Sequence, residues 1–335
     1  MVRRVRSTRT PPVADDRFPG FADVVELGPV PGVDFAAREV GTNRVVRLRR
    51  IAPPGPGDEN PTELDRELTT LAAVSAHPNV VTLYRSFRAP DGSTVLVLES
   101  ATRTLADQLA AEGARPPRAA TAITVTVAGA LETAHRAGVL HGAVSPDTVL
   151  FTRFGAPVVG GFGPAAGPVN PDGPDAHTAP EVLEGAPNSP ATDVYGLAST
   201  LHHLLTGRPA FERRPEESAA TLTLRILRDP VPAPDAARVP VGLADVVLRA
   251  MAKEPAHRPP SAAAFAAELA AVEQAQAWPV TAFVVGSPAP PTRRPAPGPG
   301  GTARPRPVSV SGAGAARASG PRSPGPARPT STTSG

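Results

Sequence analysis

The chain has 335 residues, with 44 Pro, 30 Gly, 41% hydrophobic residues and no Cys, which excludes disulfide scaffolds, thiolate metal sites and cysteine chemistry. No apolar run approaches the roughly 18 residues of a membrane span, and the N-terminal MVRRVRSTRTPPVADD lacks the apolar stretch of a secretory signal, so the cytoplasm is the expected location. The formal net charge of +3 hides an asymmetry: residues 1–10 hold four Arg and 287–335 hold seven, with no acid in either, so 11–286 carries 23 basic against 31 acidic residues. Such an acidic body is not the basic face that grips nucleic acid.

In chain order, residues 1–22 read as a disordered basic N-terminus. From 23 to 100, β-type runs follow one another: ADVVEL, GVDFAAREV, NRVVRLRRI, VVTLYRSF and STVLVLE, separated by turn signals such as Gly41-Thr42-Asn43 and Pro90-Asp91-Gly92. One helix interrupts them over 62–75, with Leu64, Leu68 and Leu71 at spacings of four and three. Helical patterns then dominate 101–275, over 104–112, 116–137, 190–206, 217–228, 240–252 and 260–275. A β-rich part with one helix before a helical part is an α+β order. Residues 276–335 are dominated by Pro, Gly, Ser, Ala and Arg and read as a disordered tail. A plain linker is the leading reading of that tail, ahead of a PxxP ligand or a polyanion-binding arm.

Several motifs fall in a fixed sequence. His141-Gly142-Ala143-Val144-Ser145-Pro146-Asp147-Thr148 closes the second long helix, and Gly161-Phe162-Gly163 begins twenty residues after His141. Ala179-Pro180-Glu181, Asp193-Val194-Tyr195-Gly196-Leu197 and Arg258-Pro259 come after, and His77-Pro78-Asn79 follows the first helix. In order and spacing these resemble protein kinases, in particular bacterial Ser/Thr kinases of the high-GC Gram-positive type. The resemblance implies a two-lobed α+β fold with N- and C-lobes at 23–100 and 101–275.

It also locates the positions that carry phosphoryl transfer in that family, and most hold other chemistry. Ala143 stands at the catalytic base, Ser145 at the loop lysine, and Thr148 and Gly161 at the two metal ligands. Ala143 cannot accept a proton, and Mg²⁺ sites rely on carboxylate oxygens beside substrate phosphates. The Gly-rich loop keeps Gly28 and Gly32, but Pro29 and Pro31 lack the backbone N–H groups that cradle phosphate. Arg49 takes the place of the third-strand lysine, and Lys253 is the single lysine of the chain. Arg49 could still pair with Glu67, at the position of the helix glutamate, although a guanidinium is not a compact ammonium. Asp34 and Arg47, at positions that face adenine in the family, are read as facing each other across adjacent strands and filling that pocket; the alternative is that Arg47 is a solvated surface cation.

The remaining matches read as structural. His141, Phe162 and Leu71 would belong to a hydrophobic column between the lobes, Asp193 would bind the catalytic-loop backbone, and Glu181 and Arg258 would form a buried ion pair. His202-His203 is a poor chelate because adjacent helical residues diverge by about 100°, so no metal site is expected. The segment from Pro164 to His177 has no Ser, Thr or Tyr to phosphorylate.

The expectation is therefore a pseudokinase that acts as scaffold or allosteric regulator in bacterial phosphorylation signalling, without ATP or Mg²⁺ as cofactor. Its partners would be proteins, an active Ser/Thr kinase or a phosphothreonine-binding protein among them. Two alternatives stand beside it: an ATP-binding protein with residual or atypical Ser/Thr kinase activity, and an interaction protein whose function lies in the C-terminal tail. Weak nucleotide binding stays open.

Overall fold

The structure is a computed structural model that describes residues 15–27, 32–53, 61–101, 103–163 and 175–286, with 61–63 as backbone only. Gly28, most of the segment after Gly163, and 287–335 lie outside the described residues.

The N-terminal lobe is an antiparallel sheet of β1 (Phe21–Leu27), β2 (Asp34–Glu39), β3 (Arg44–Ile51), β4 (Leu83–Arg88) and β5 (Thr94–Glu99), in the order β1-β2-β3-β5-β4. Helix α1 (Pro61–Val74) connects β3 to β4. Strand alternation sorts β3 into two faces. Val46 and Leu48 are buried against Phe35, Ala37, Val95 and Val97, and Arg47 and Arg49 point the other way. The β2–β3 hairpin turns through Asn43 at φ 55, a left-handed conformation that Asn tolerates better than most residues.

The lobe begins earlier than the sequence suggests. Residues 15–22 were expected to be disordered, yet Phe18 and Phe21 are buried in the sheet core, and Phe18 lies 4.8 Å from the Phe35 ring. Two aromatic rings anchor a segment whose average composition is that of a tail, because each buries a large apolar area.

The C-terminal lobe contains β6 (Arg103–Thr104), α2 (Leu105–Glu112), α3 (Pro117–Arg136), β7 (Val149–Phe151), β8 (Pro157–Val159), α4 (Pro180–Leu183), α5 (Pro190–Thr206), α6 (Ala219–Arg228), α7 (Val241–Ala250) and α8 (Ala262–Ala275). Helix starts follow cap chemistry: Thr104 and Ser189 form capping boxes, and Ser218 and Ser261 accept from the third helical N–H. Helix α5 is buried nearly all round, which makes it the central element of the lobe. Strands β6, β7 and β8 form a small sheet at the lobe junction. The α1–β4 turn is bonded to it, through Val81 N–H to Val159 O (2.9 Å) and Val159 N–H to Asn79 O (2.8 Å). The two-lobed α+β fold is thus as expected.

A second correction concerns the tail, which was expected to be disordered from 276. The chain turns at Ala277 (φ 52) and continues to Gly286 as an extended strap over α3. Buried Glu273 accepts from Thr281 N–H (2.7 Å) and Oγ1 (2.6 Å). His77 Nε2 lies 3.0 Å from Val284 O, and Gly286 N–H donates to Thr133 Oγ1 (2.9 Å). The strap therefore ties α8, α3 and the α1–β4 turn together. Gly129 makes this approach possible, since a Cβ there would meet Val284 O at 2.2 Å. A helical Gly→Ala change normally stabilises by about 1 kcal/mol. Gly129→Ala is expected to invert that sign and cost about 1–3 kcal/mol through overpacking. Its urea midpoint should fall and the Gly286 amide, bonded to Thr133, should lose hydrogen-exchange protection; a midpoint that rises with that amide still protected contradicts this packing.

Candidate functional site

The cleft face of the N-lobe sheet carries Asp34 on β2 and Arg47 and Arg49 on β3. The register sets Asp34 directly opposite Arg49, and Arg47 opposite Ala36. Arg47 is therefore the diagonal neighbour of Asp34, not its direct partner, but both guanidiniums converge on the one carboxylate. Arg49 Nε and Nη2 donate to Asp34 at 2.9 and 2.6 Å, and Arg47 reaches it through Nε at 3.0 Å and Nη2 at 2.9 Å. Asp34 and Arg49 are each 8% exposed. Burial pushes the Asp34 carboxyl up, but the hydrogen bonds and charges of Arg49 and Arg47 together hold it below its ordinary value.

Arg49 thus has its counter-ion within the sheet. Glu67, which the sequence allowed as its partner, is exposed on α1 and has no ion pair among the described residues. One turn further along α1, Leu71 is buried in the core that also holds Phe162. At the edge of the Gly-rich segment, the Glu26 carboxylate accepts from Gly32 N–H. That occupies a donor of the kind that cradles phosphate. Lys253 is no substitute for the strand lysine: it donates to Ile226 O in the C-lobe and sits 4.2 Å over the Phe211 ring.

Below the cleft, the loop from His141 to Thr148 is held in place by backbone and core contacts. Fully buried Asp193 accepts from His141 N–H (2.9 Å) and Gly142 N–H (2.7 Å). His135 of α3 completes this arrangement with Nε2 at 2.7 Å from the Asp193 carboxylate. Sequence reasoning missed His135; its position six residues before His141, on the last turn of α3, is the only trace of it there. His141 Nε2 donates to Gly160 O (2.8 Å), its Nδ1 accepts from Ala143 N–H (3.3 Å), and its ring meets Phe162 edge-on at 4.7 Å. That geometry makes His141 a core residue rather than a base. Thr148 Oγ1 donates to Ser145 O and accepts from Ser145 N–H, each at 3.0 Å, so its hydroxyl closes the loop on itself. Ala143 is exposed beside a cavity of about 60 Å³ that Asp175, His177 and Thr178 also line. Gly161 has φ +90, where any other residue would be strained.

A brace lies deeper in the lobe. Arg258 and Glu181 form a two-pronged pair at 2.7 Å on each side. Arg258 also donates to the carbonyls of Ala252, Ala191 and Lys253.

Four histidines are held neutral mainly by burial: His141, His177, His202 and His203, the last pushed down to about 4. His177 stacks on His203 at 5.5 Å and its Nδ1 lies 2.8 Å from Ser199 Oγ. The unfolded chain protonates such rings near pH 6.5 and the folded chain does so only at lower pH, so unfolding takes up protons in between. Stability is accordingly full above pH 6.5 and falls as pH drops toward 4. Each ring contributes a slope of at most about 1.4 kcal/mol per pH unit, and half-buried His203 less than the others. Urea midpoints at pH 7.5, 6 and 5 should decrease in that order; constant midpoints contradict the neutral-histidine account.

A five-stranded sheet with one helix, a helical lobe, a catalytic-type loop held by an aspartate and a buried Glu–Arg brace define a protein-kinase domain. The family profile for the protein kinase domain matches residues 30–269, and the chain belongs to that family. It is 36% identical over 266 residues to the serine/threonine-protein kinase PknK of Mycobacterium tuberculosis, covering 76% of this chain and 24% of that protein. It is 30% identical over 274 residues to the probable serine/threonine-protein kinase PknB of Corynebacterium glutamicum (74% of this chain, 42% of that protein). It is 28% identical over 281 residues to PknB of Mycobacterium leprae (80% and 44%). The chain thus spans between a quarter and a half of the length of these relatives. Among the described residues, no helix is long and apolar enough to cross a membrane.

Proposed function

We propose that this protein-kinase domain is a pseudokinase, a scaffold or allosteric partner in Ser/Thr phosphorylation signalling rather than a phosphotransferase. The observation that carries the reading is the Asp34 carboxylate gripped by Arg49 and Arg47 at the roof of the cleft. That carboxylate engages the Arg49 cation at the lysine position, which is then less available to meet a nucleotide's phosphates. The floor agrees: Ala143 offers no base, and Thr148 and Gly161 offer no carboxylate to a metal. These residues do not fit Mg²⁺-ATP, and no step is routed through it. Sorting favours the same reading, since Asp193, His141, Phe162, Glu181 and Arg258 keep architectural roles while the positions for chemistry hold other side chains.

The relatives are named as Ser/Thr kinases, which favours residual kinase activity as the second reading. A phosphotransfer assay on the full chain with labelled ATP, Mg²⁺ or Mn²⁺ and a generic Ser/Thr acceptor separates the two. Pseudokinase status predicts no transfer above an Asp193→Ala control; metal-dependent transfer above it supports the alternative. The proposed partners are an active Ser/Thr kinase or a phosphothreonine-binding protein, met in the cytoplasm. Comparing partner capture by the full chain and by a chain ending at Gly286, which keeps the strap, tests where they dock. Capture that disappears with 287–335 assigns function to the tail instead.

A further inference from the structure

The C-lobe holds a cavity of about 960 Å³ between the C-terminal end of α5, the α5–α6 loop and the α6–α7 connection. None of the cleft residues described above lines it. Its walls carry five arginines: Arg208, Arg213, Arg214, Arg225 and Arg238. The acids facing it are Glu212 and Asp235, with Glu217 behind, paired to Arg225 Nη1 at 3.0 Å. Asp229 also lies 3.8 Å from Arg225 Nε, so five cations stand against four carboxylates and leave an excess of one positive charge. This excess stands on a body that is otherwise acidic, with 23 basic against 31 acidic residues over 11–286.

Not all of these cations are committed to the fold. Arg225 is held by Glu217 and by the Glu212 carbonyl, and Arg238 lies 3.8 Å from Asp235. The exposed Arg208 and Arg214 side chains make no ion pair among the described residues. Buried Leu205, Ala210 and Val239 give the cavity an apolar floor.

We propose that this cavity binds a phosphorylated threonine or serine side chain presented by a partner peptide. A phosphomonoester carries about −1.5 to −2 charge at neutral pH, which the two arginines without an ion pair, Arg208 and Arg214, can meet. The planar guanidinium fork suits its oxygens better than a point cation does. The apolar floor suits a short aliphatic stem. A nucleotide fits less well, because no Phe, Tyr or Trp lines the cavity to stack on a base. A nucleic-acid strand needs a longer cationic track than this pocket offers on an acidic body. The site is independent of whether the cleft transfers phosphate.

The test uses the full chain and a fluorescein-labelled peptide with one phosphothreonine, read by fluorescence anisotropy. Its unphosphorylated form and a form with glutamate in place of phosphothreonine run alongside, and inorganic phosphate serves as competitor. Saturable binding of the phosphopeptide, displaced by phosphate, is expected. The double variant Arg208→Ala/Arg214→Ala should weaken it about ten- to a hundredfold, and its thermal midpoint should stay close to that of the parent. Arg66→Ala/Arg153→Ala, which removes the same charge elsewhere, should leave affinity within about twofold. The site is overturned if no saturable binding occurs, or if the control double variant weakens binding as much as the cavity variant. Equal affinity for the unphosphorylated or glutamate peptide also overturns it, since that describes a site for acidic peptides.

Discussion

Glu181→Ala is expected to lower the stability of the domain by about 3–5 kcal/mol, the cost of leaving a buried charge without its partner. Arg258 has no side-chain exposure, so water cannot take over from the lost carboxylate. Its three carbonyl acceptors remain, but none carries a compensating charge. Against a total stability of about 5–15 kcal/mol, the variant should melt roughly 10 °C lower, at 2–4 °C per kcal/mol for a domain of this size. Replacing both members with apolar residues, Glu181→Leu with Arg258→Met, should recover much of that loss. Thermal and urea denaturation of the three proteins check the series. A single variant within 1 kcal/mol of the parent would mean that the pair is solvated and does not brace the lobe.

Asp34→Ala should have the second large effect, about 3 kcal/mol, because it removes the carboxylate that two guanidiniums share. Arg47→Ala, by contrast, should cost no more than about 1 kcal/mol, since its side chain is 31% exposed and its loss leaves Asp34 with Arg49. The ratio of these two effects is informative. Equal and small effects would mean that the arginines are surface cations and the roof of the cleft is open. A large effect at Asp34 alone supports a locked roof. The lowered Asp34 carboxyl sets the matching pH window: its contribution is present above the ordinary carboxylate range and is lost as pH falls through the still lower folded value.

Much of this architecture could be read from patterns of residues. Long helices such as 117–136, 190–206 and 262–275 appear within two residues of where periodicity puts them, the last two started by the Ser189 and Ser261 caps. The short elements do not, because β6, β7, β8 and α4 are too brief to show a period and form only on a neighbouring surface. Composition misled at both ends. Phe18 and Phe21 are two residues in a basic, Pro-bearing stretch, and the strap over 276–286 has no repeat to detect. It is fixed instead by single contacts, from Glu273 to Thr281 and from His77 to Val284. At the cleft, Asp34 and Arg47 were visible as odd residues in their strands. Which arginine stands opposite Asp34 depends on strand register, and a two-residue shift exchanges one for the other. Glu67 shows the limit of motif spacing, which places a residue on a helix but cannot say whether its intended partner has been taken by another side chain.

The central claim is that the cleft no longer handles nucleotide with metal, and a thermal-shift titration of the full chain with ATP tests it most directly. A ligand at a hundred times its Kd adds about 2.7 kcal/mol to the folded state, several degrees for this domain. The account predicts a midpoint that does not move with ATP to millimolar concentration, with or without Mg²⁺ or Mn²⁺. A saturable rise that requires the metal would contradict it.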